Sequence, residues 1–281
     1  KEVVRIARQN EGRVLFHARS YVAGLMCLQG IRGFRGIGGT SGGFPRFLFD
    51  MRGFWVDERV EAGSWRSGGV LAAVARKVEG VLLREADGLV HLTDAARCAL
   101  SDRVSCPSWV IPTLTDLRIF YPPRDPSALR QELGIGPGPV LMHVGALNRY
   151  LSDQTFSVGR AWTDLVGGSF LVLTGQEALA RGLARKHRVN ALIRKVPFRE
   201  IPKWMGVGDA GLALARPSRA GQAMSPTRMG EYLSTGLAVA ATRGTGDMEA
   251  HLDGSPVAVL VAQNDDPAGI ADALAGSAKY P

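Results

Sequence analysis

Short apolar runs, too brief for helices, recur between longer segments of helical periodicity along the 281-residue chain. Val14–Phe16, Phe47–Phe49, Gly88–Leu92 and Trp109–Ile111 read as strands. Tyr21–Ile31, Val70–Glu85 and Asp94–Ser101 read as the helices between them. Strands that are apolar throughout, rather than alternating, belong to a parallel sheet covered on both faces. The β-α-β-α order demands the same architecture, because parallel neighbours need a crossover helix.

Residues 112–138 change character. Pro112, Pro122, Pro123, Pro126, Pro137 and Pro139 exclude any long helix, leaving a short one near Ala128–Leu133, and the stretch reads as an interdomain linker. A second alternating series follows. Its strands are Val140–Val144, Phe170–Thr174, Asn190–Arg194, Ala210–Leu214, Ala238–Ala241 and Ala258–Val261. Its helices lie near 152–166, 176–187, 199–205, 226–235, 246–252 and 267–275. The fold class is therefore α/β, with two Rossmann-like doubly wound domains: 1–120, which looks short by one βαβ unit, and 121–281.

Composition narrows the function. Lys and Arg number 34 against 26 Asp and Glu, a net charge of +8 that favours an anionic partner such as a nucleotide phosphate or an anionic membrane face. No apolar run approaches the ~18 residues of a membrane span. Three scattered cysteines, Cys27, Cys98 and Cys106, exclude a disulfide framework and a zinc ribbon. The five histidines show no metal-binding spacing, so no metal and no cofactor is expected. His91 and His143 read as core or rim residues. Aromatic residues are not interleaved with basic ones, which argues against nucleic acid as a partner.

Ligands of open parallel sheets bind outside the carboxyl ends of the strands. His17 and Arg19 follow the first strand, and Asp50, Arg52 and Gly53 the second. Gly145, Asn148 and Arg149 follow the first strand of the second series, and Arg216-Pro217-Ser218 the strand ending at Leu214. The glycine-rich Gly36–Gly43 stretch precedes a strand instead of following one and lacks Gly-Lys-Ser/Thr, so it reads as a connection and not a phosphate cradle. In Ser225-Pro226-Thr227-Arg228-Met229-Gly230-Glu231, Ser225 reads as an N-cap and Pro226 as the first helical residue. The start of that helix attracts phosphate, and Glu231 can accept from ribose hydroxyls. The plainer reading of Glu231 is a solvated carboxylate paired with Arg228 three residues back.

Three segments carry a resemblance. They are Val14–Tyr21 followed by Phe49–Val60, then Val110-Ile111-Pro112-Thr113 with Asp116 and Phe120-Tyr121-Pro122, then Ser225–Val239. Together they resemble the GT-B glycosyltransferases of the bacterial "group 1" retaining family, with its viP-x-x-vD-x-x-x-F-x-P and PTK-x-x-EYLA-x-G-x-P-V segments. The resemblance covers most of residues 13–250. It implies an active site between two Rossmann-like domains, with a nucleoside diphosphate sugar as co-substrate mainly on the second and the acceptor mainly on the first.

Residue by residue, it implies catalytic roles for His17, Asp50, Arg52, Arg149 and Arg228. It implies donor binding by Gly145, Arg149, Ser225, Thr227, Arg228 and Glu231. The expected activity is retaining, metal-independent transfer to a glycan, lipid-linked or small-molecule acceptor in cell-surface polysaccharide or glycoconjugate biosynthesis. The expected place is the cytoplasm, with peripheral contact at the inner face of the membrane. Departures from the pattern are Ala223 where the family's first motif glutamate stands, Arg228 for Lys and Ala238 for Pro. Also missing are a lysine near Ser152–Ser157, the first βαβ unit and the helix expected after Pro281. Two alternatives stand beside it: a GT-B-type sugar-nucleotide epimerase, which shares the architecture, and a non-catalytic glycosyltransferase-like accessory protein, which the Ala223 departure and the missing N-terminal unit motivate.

Overall fold

The computed structural model describes residues 2–10, 14–35, 45–122, 125–147 and 151–278. The chain divides into two compact units, residues 1–112 with 222–225, and residues 113–221 with 226–281. The glycine-rich stretch and Asn148–Arg149 lie outside the described residues.

The first unit holds helix α1 (Glu2–Gln9), strand β1 (Leu15–Arg19), α2 (Tyr21–Arg35), β2 (Arg46–Asp50), α3 (Trp55–Glu61), α4 (Val70–Glu85), β3 (Gly88–His91), α5 (Asp94–Ala99) and β4 (Ser108–Val110). Its sheet is parallel in the order β1-β2-β3-β4. Phe47, Phe49 and Leu89 pack with Leu28, Ile31 and Leu82 of the helices into one apolar cluster, which also takes in Ala223. Inside this unit the carboxylate of Glu79 is buried. It accepts from the Tyr21 hydroxyl at 3.0 Å and from Arg103 at 2.9 Å, and Tyr21 also lies 3.1 Å from the Gly53 carbonyl. This satisfied network ties α2 and α4 to the loop after β2, at the end of the sheet where ligands bind.

The second unit runs α6 (Ser127–Glu132), β5 (Val140–Val144), α7 (Ser152–Ala161), β6 (Ser169–Leu173), α8 (Glu177–Lys186), β7 (Ala191–Arg194), α9 (Ile201–Met205), β8 (Ala210–Ala213), α10 (Arg219–Gln222), α11 (Thr227–Ser234), β9 (Ala238–Thr242), α12 (Met248–Leu252), β10 (Ala258–Val261) and α13 (Pro267–Ser277). Its sheet has the order β10-β9-β8-β5-β6-β7, all parallel. Alternate residues of the same strands enter two different cores. Leu141, Phe170, Leu212 and Ala240 face one, and Met142, Leu171, Val239 and Ala241 face the other. That is the physical basis of the continuous apolar runs in the sequence.

The structure departs from the sequence expectations at several elements. α1, α3 and α10 are helices it did not foresee; each is a short segment of 4–8 residues. The helix expected over 152–166 is α only to Ala161 and closes with a π turn over Trp162–Val166. There the buried Trp162 indole donates to the Pro139 carbonyl at 3.2 Å, and Gly167 ends the turn at φ 68°. His17 and Arg19 lie within β1 rather than after it. α11 starts one residue late. Pro226 is extended (ψ 110°), so it occupies the N-cap position itself, and Ser225 stands outside the helix.

Candidate functional site

Two groups of predicted residues come together, one in each unit. In the first unit, β1 and β2 run in register so that Arg19 lies opposite Asp50. The chain leaves both strands in strained conformations, Ser20 at φ 80° and Arg52 at φ 58°. Left-handed backbone at non-glycine residues costs on the order of 1 kcal/mol each and clusters at functional sites. Asp50 is 6% exposed and His17 is open. The His17 Nε2 lies 3.4 Å from one Asp50 oxygen, and the Arg52 Nε lies 4.0 Å from the other. That second oxygen, Oδ1, is buried without a hydrogen-bond partner among the described residues. A buried carboxylate oxygen left in this state is either costly or reserved for a ligand donor. Burial pulls the Arg52 pKa down, the Asp50 charge opposes this, and Arg19 adds to it.

In the second unit the strand order reverses between β5 and β8, and ligands bind at such a switch point. The chain leaves β5 through Gly145 at φ 134°, a conformation that side chains rarely adopt. The loops after β5 and β6 are tied together: Gln176 Oε1 accepts from the Leu147 N–H at 2.7 Å, and Thr174 Oγ1 accepts from Gln176 N–H at 3.1 Å.

Beside them stands α11. Its first turn carries Thr227, exposed, and Arg228, whose guanidinium donates to Glu231 one turn on. Glu231 is 4% exposed, so the solvated-carboxylate reading is corrected: the partner is Arg228, but the pair is largely desolvated. Burial raises the Glu231 pKa against the opposing pull of Arg228. The Arg228 Nε is itself buried with no partner among the described residues, as are the hydroxyls of Thr242 and Thr245 at and after the end of β9. Donors and hydroxyls without partners therefore gather at the carboxyl edge of this sheet. Both belong to the polar run Thr242–Asp247 that the sequence places after the apolar strand ending at Ala241, with Thr242 itself the last residue of β9.

Tyr232 fixes α11 in place. Its ring lies flat over Gly211 of β8, where a Cβ would come within 2.6 Å of it. Its hydroxyl accepts from the Val144 N–H at 2.8 Å. The ladder between β8 and β5 stops at Met142, so the phenol takes over where the neighbouring strand has left. His143, fully buried next to this bond, is pushed down to about 4 by burial and by the Arg228 charge, and is neutral at pH 7. His91 is held at about 4, by burial and then by Arg97.

Of the remaining predicted residues, Arg149 lies outside the described residues. Ser225 belongs with the first unit. Ala223 is buried in that unit's apolar cluster, so the chain offers a methyl group there and no carboxylate. Among the described residues, no group of three or more His, Cys, Asp and Glu side chains is placed to hold a metal ion. No helix among them is long and apolar enough to cross a membrane.

A Ser157–His187–Asp153 chain, with contacts of 3.1 and 2.8 Å, has the spacing of a nucleophilic triad. Ser157 sits mid-helix in α7, however, where the backbone N–H groups are committed to helical bonds and no oxyanion hole can form. Lys186 also shares the Asp153 oxygen.

No protein-family model and no curated protein matches the chain. Solved structures do. Sucrose-phosphate synthase from Thermosynechococcus elongatus superposes with a TM-score of 0.70 at 17% identity, over 98% of this chain and 70% of that one. Anabaena HepE in complex with UDP gives 0.72 at 15% identity, over 98% and 74%. HepE was also solved with UDP-glucose. The α,α-trehalose 6-phosphate synthase of Burkholderia multivorans gives 0.65 at 15% identity, over 99% and 66%. The fold is that of these GT-B glycosyltransferases: α/β, with two Rossmann-like units built on parallel sheets of four and six strands.

Proposed function

We propose that the chain is a glycosyltransferase that takes its sugar from a nucleoside diphosphate sugar bound at the carboxyl edge of the second unit. The observation that carries this reading is the buried Arg228–Glu231 pair on the first turns of α11, at the switch point of the sheet. A carboxylate that is desolvated yet charge-paired suits a neutral polyol: ribose hydroxyls donate to Glu231. The Arg228 guanidinium, with an unused Nε–H, and the first-turn N–H groups of α11 face negative charge. Likeness in fold to HepE, solved with UDP and with UDP-glucose, supports the same assignment.

In the reaction the bond between the sugar's anomeric carbon and the diphosphate oxygen breaks. A new bond forms to an acceptor hydroxyl oxygen, and that hydroxyl's proton goes to the departing phosphate. Charge builds on the leaving group, so a fixed cation and helix N–H donors lower the barrier where a strong base is not required. One such donor is worth ~3 kcal/mol of transition-state stabilisation. Arg149 would add a second cation. This arrangement is compatible with transfer that retains configuration and uses no metal. On the first unit, His17, Asp50 and Arg52 form the acceptor-side group, with the Asp50 Oδ1, which accepts no hydrogen bond among the described residues, ready to take a sugar hydroxyl. A glycan or lipid-linked acceptor, used in cell-surface polysaccharide or glycoconjugate synthesis at the inner membrane face, completes the proposal.

Calorimetry with UDP-, GDP-, ADP-, TDP- and CMP-sugars tests it. Saturable binding of one donor, abolished by Glu231→Ala, is the expected result. A folded protein that binds none of them overturns the reading.

A further inference from the structure

The positive charge of this chain is concentrated in one place. Residues 177–203 hold eight lysines and arginines and only two carboxylates, Glu177 and Glu200, an excess of six against +8 for the whole chain. Arg181, Arg185, Lys186 and Arg188 lie on α8 or just after it. Arg194, Lys195, Arg199 and Lys203 lie at the end of β7 and in the turn and helix that follow. All eight are exposed. Arg181 reaches Glu177 at 3.8 Å, and Lys186 pairs with Asp153. The other six have no ion-pair partner among the described residues.

The fold places these cations along the β7 edge of the second unit, those of α8 over one core and that of α9 over the other. β7 is the last strand of its sheet, and α8 is the helix that leads into it. Ala180 and Leu183 turn one face of α8 into the core. Arg181 and Arg185, one turn apart, share a surface depression of about 480 Å³ with Arg188, Ala184 and Ile193. Two large apolar side chains stand in the same segment, Leu179 at 45% and Phe198 at 61% exposure.

Protection of a sheet edge explains little of this. Charges on edge strands prevent unwanted pairing, but β7 is only four residues long and contributes one arginine. Of the other cations, Arg185, Arg188, Lys195, Arg199 and Lys203 repel one another with no ion-pair partner among the described residues.

We infer that the α8–β7 face is a docking surface for an anionic lipid bilayer. Clusters of four to eight cations are what a negatively charged leaflet attracts, and Phe198, next to Arg199 in the turn after β7, can enter the headgroup layer. A nucleic acid fits less well, since Phe198 is the one exposed aromatic side chain in the segment and offers no stacking platform. The use of this surface, bringing the enzyme to a lipid-linked acceptor, rests on the transferase reading; its affinity for lipid does not.

Flotation of the full chain with vesicles tests the inference, using phosphatidylcholine alone and the same lipid with about one third phosphatidylglycerol, at low and high salt. Binding only to the anionic vesicles, weakened by salt, is expected. The triple variant Arg185→Glu, Arg188→Glu, Lys195→Glu should bind on the order of 100-fold more weakly. The triple Arg66→Glu, Lys77→Glu, Arg84→Glu on the first unit, with the same change in net charge, should retain most of the affinity. Phe198→Ser should lower the part of the binding that survives high salt.

Equal binding to neutral vesicles, or equal loss in the two triple variants, overturns the inference. So does tighter binding to a single-stranded oligonucleotide than to vesicles, if the α8–β7 triple abolishes it. Nucleotide calorimetry on the same variants separates the two readings. Donor binding unchanged in the α8–β7 triple shows that it is folded. A wild-type chain that binds vesicles but no donor leaves the lipid surface standing and removes the transferase reading.

Discussion

Replacing Tyr232 by Phe removes a single oxygen from a fully buried ring. No cavity opens, because the ring remains packed over Gly211. What is lost is the acceptor 2.8 Å from the Val144 N–H, a backbone donor whose residue is 1% exposed and lies beyond the end of the ladder to β8. A buried N–H stripped of its partner costs ~1–3 kcal/mol. The slightly more apolar ring returns a fraction of that, so the expected net loss is about 1–2 kcal/mol. Urea denaturation followed by tryptophan fluorescence measures it as a lower midpoint with an unchanged slope. Hydrogen exchange at the Val144 amide should accelerate in parallel. A loss under about 0.5 kcal/mol with Val144 still protected would refute the reasoning, since it would mean that another acceptor serves this amide.

Other outcomes follow from the same geometry. Gly211→Ala places a Cβ 2.6 Å from the Tyr232 ring and should cost ~1–3 kcal/mol, read by thermal denaturation; an unchanged melting temperature would contradict the close approach. Asp50→Asn should lower turnover at least tenfold while leaving the donor dissociation constant within about threefold, because Asp50 belongs to the first unit; equal effects on both would move it to the donor site. Acid should destabilise the fold through His143. Folded, it takes its proton only at about 4, against the ordinary 6.5 of a histidine, so the unfolded chain binds more protons in between. Its contribution is therefore intact above pH 6.5 and is lost as pH falls towards 4, by up to ~3 kcal/mol. His143→Leu should flatten the fall in urea midpoint between those two pH values, and a fall as large as in the parent would count against this assignment.

Element types in the second unit were readable because its strands are buried on both faces. Val140–Val144 is apolar but for one histidine, and a run like that has few other fates. Short helices such as α3 and α10 were hidden, since four to seven residues give periodicity too little room. The start of α11 was misplaced by one residue because Pro at N1 and Pro at the N-cap look alike in sequence; only the ψ of Pro226 separates them. Glu231 and Arg228 were legible as a pair from their spacing. Their burial was not, because it depends on β5, β8 and β9 arriving from distant parts of the chain. Likewise, nothing local says that an oxygen of Asp50 will be left without a hydrogen-bond donor among the described residues.

The two strand orders imply different folding histories. In the first unit each strand lies beside its predecessor, β1-β2-β3-β4, so the sheet can grow outward as the chain emerges from the ribosome. In the second, β5 pairs with β6 on one side, but on the other it waits for β8, where Leu141 meets Ala210. Until then the central strand presents an open apolar edge. Closing it requires a long loop to be ordered first, a step that slows folding and favours association with other chains. Refolding limited by the β5–β8 closure, and aggregation concentrated in chains halted before residue 210, are the kinetic counterpart of the switch point at which the ligand edge is built.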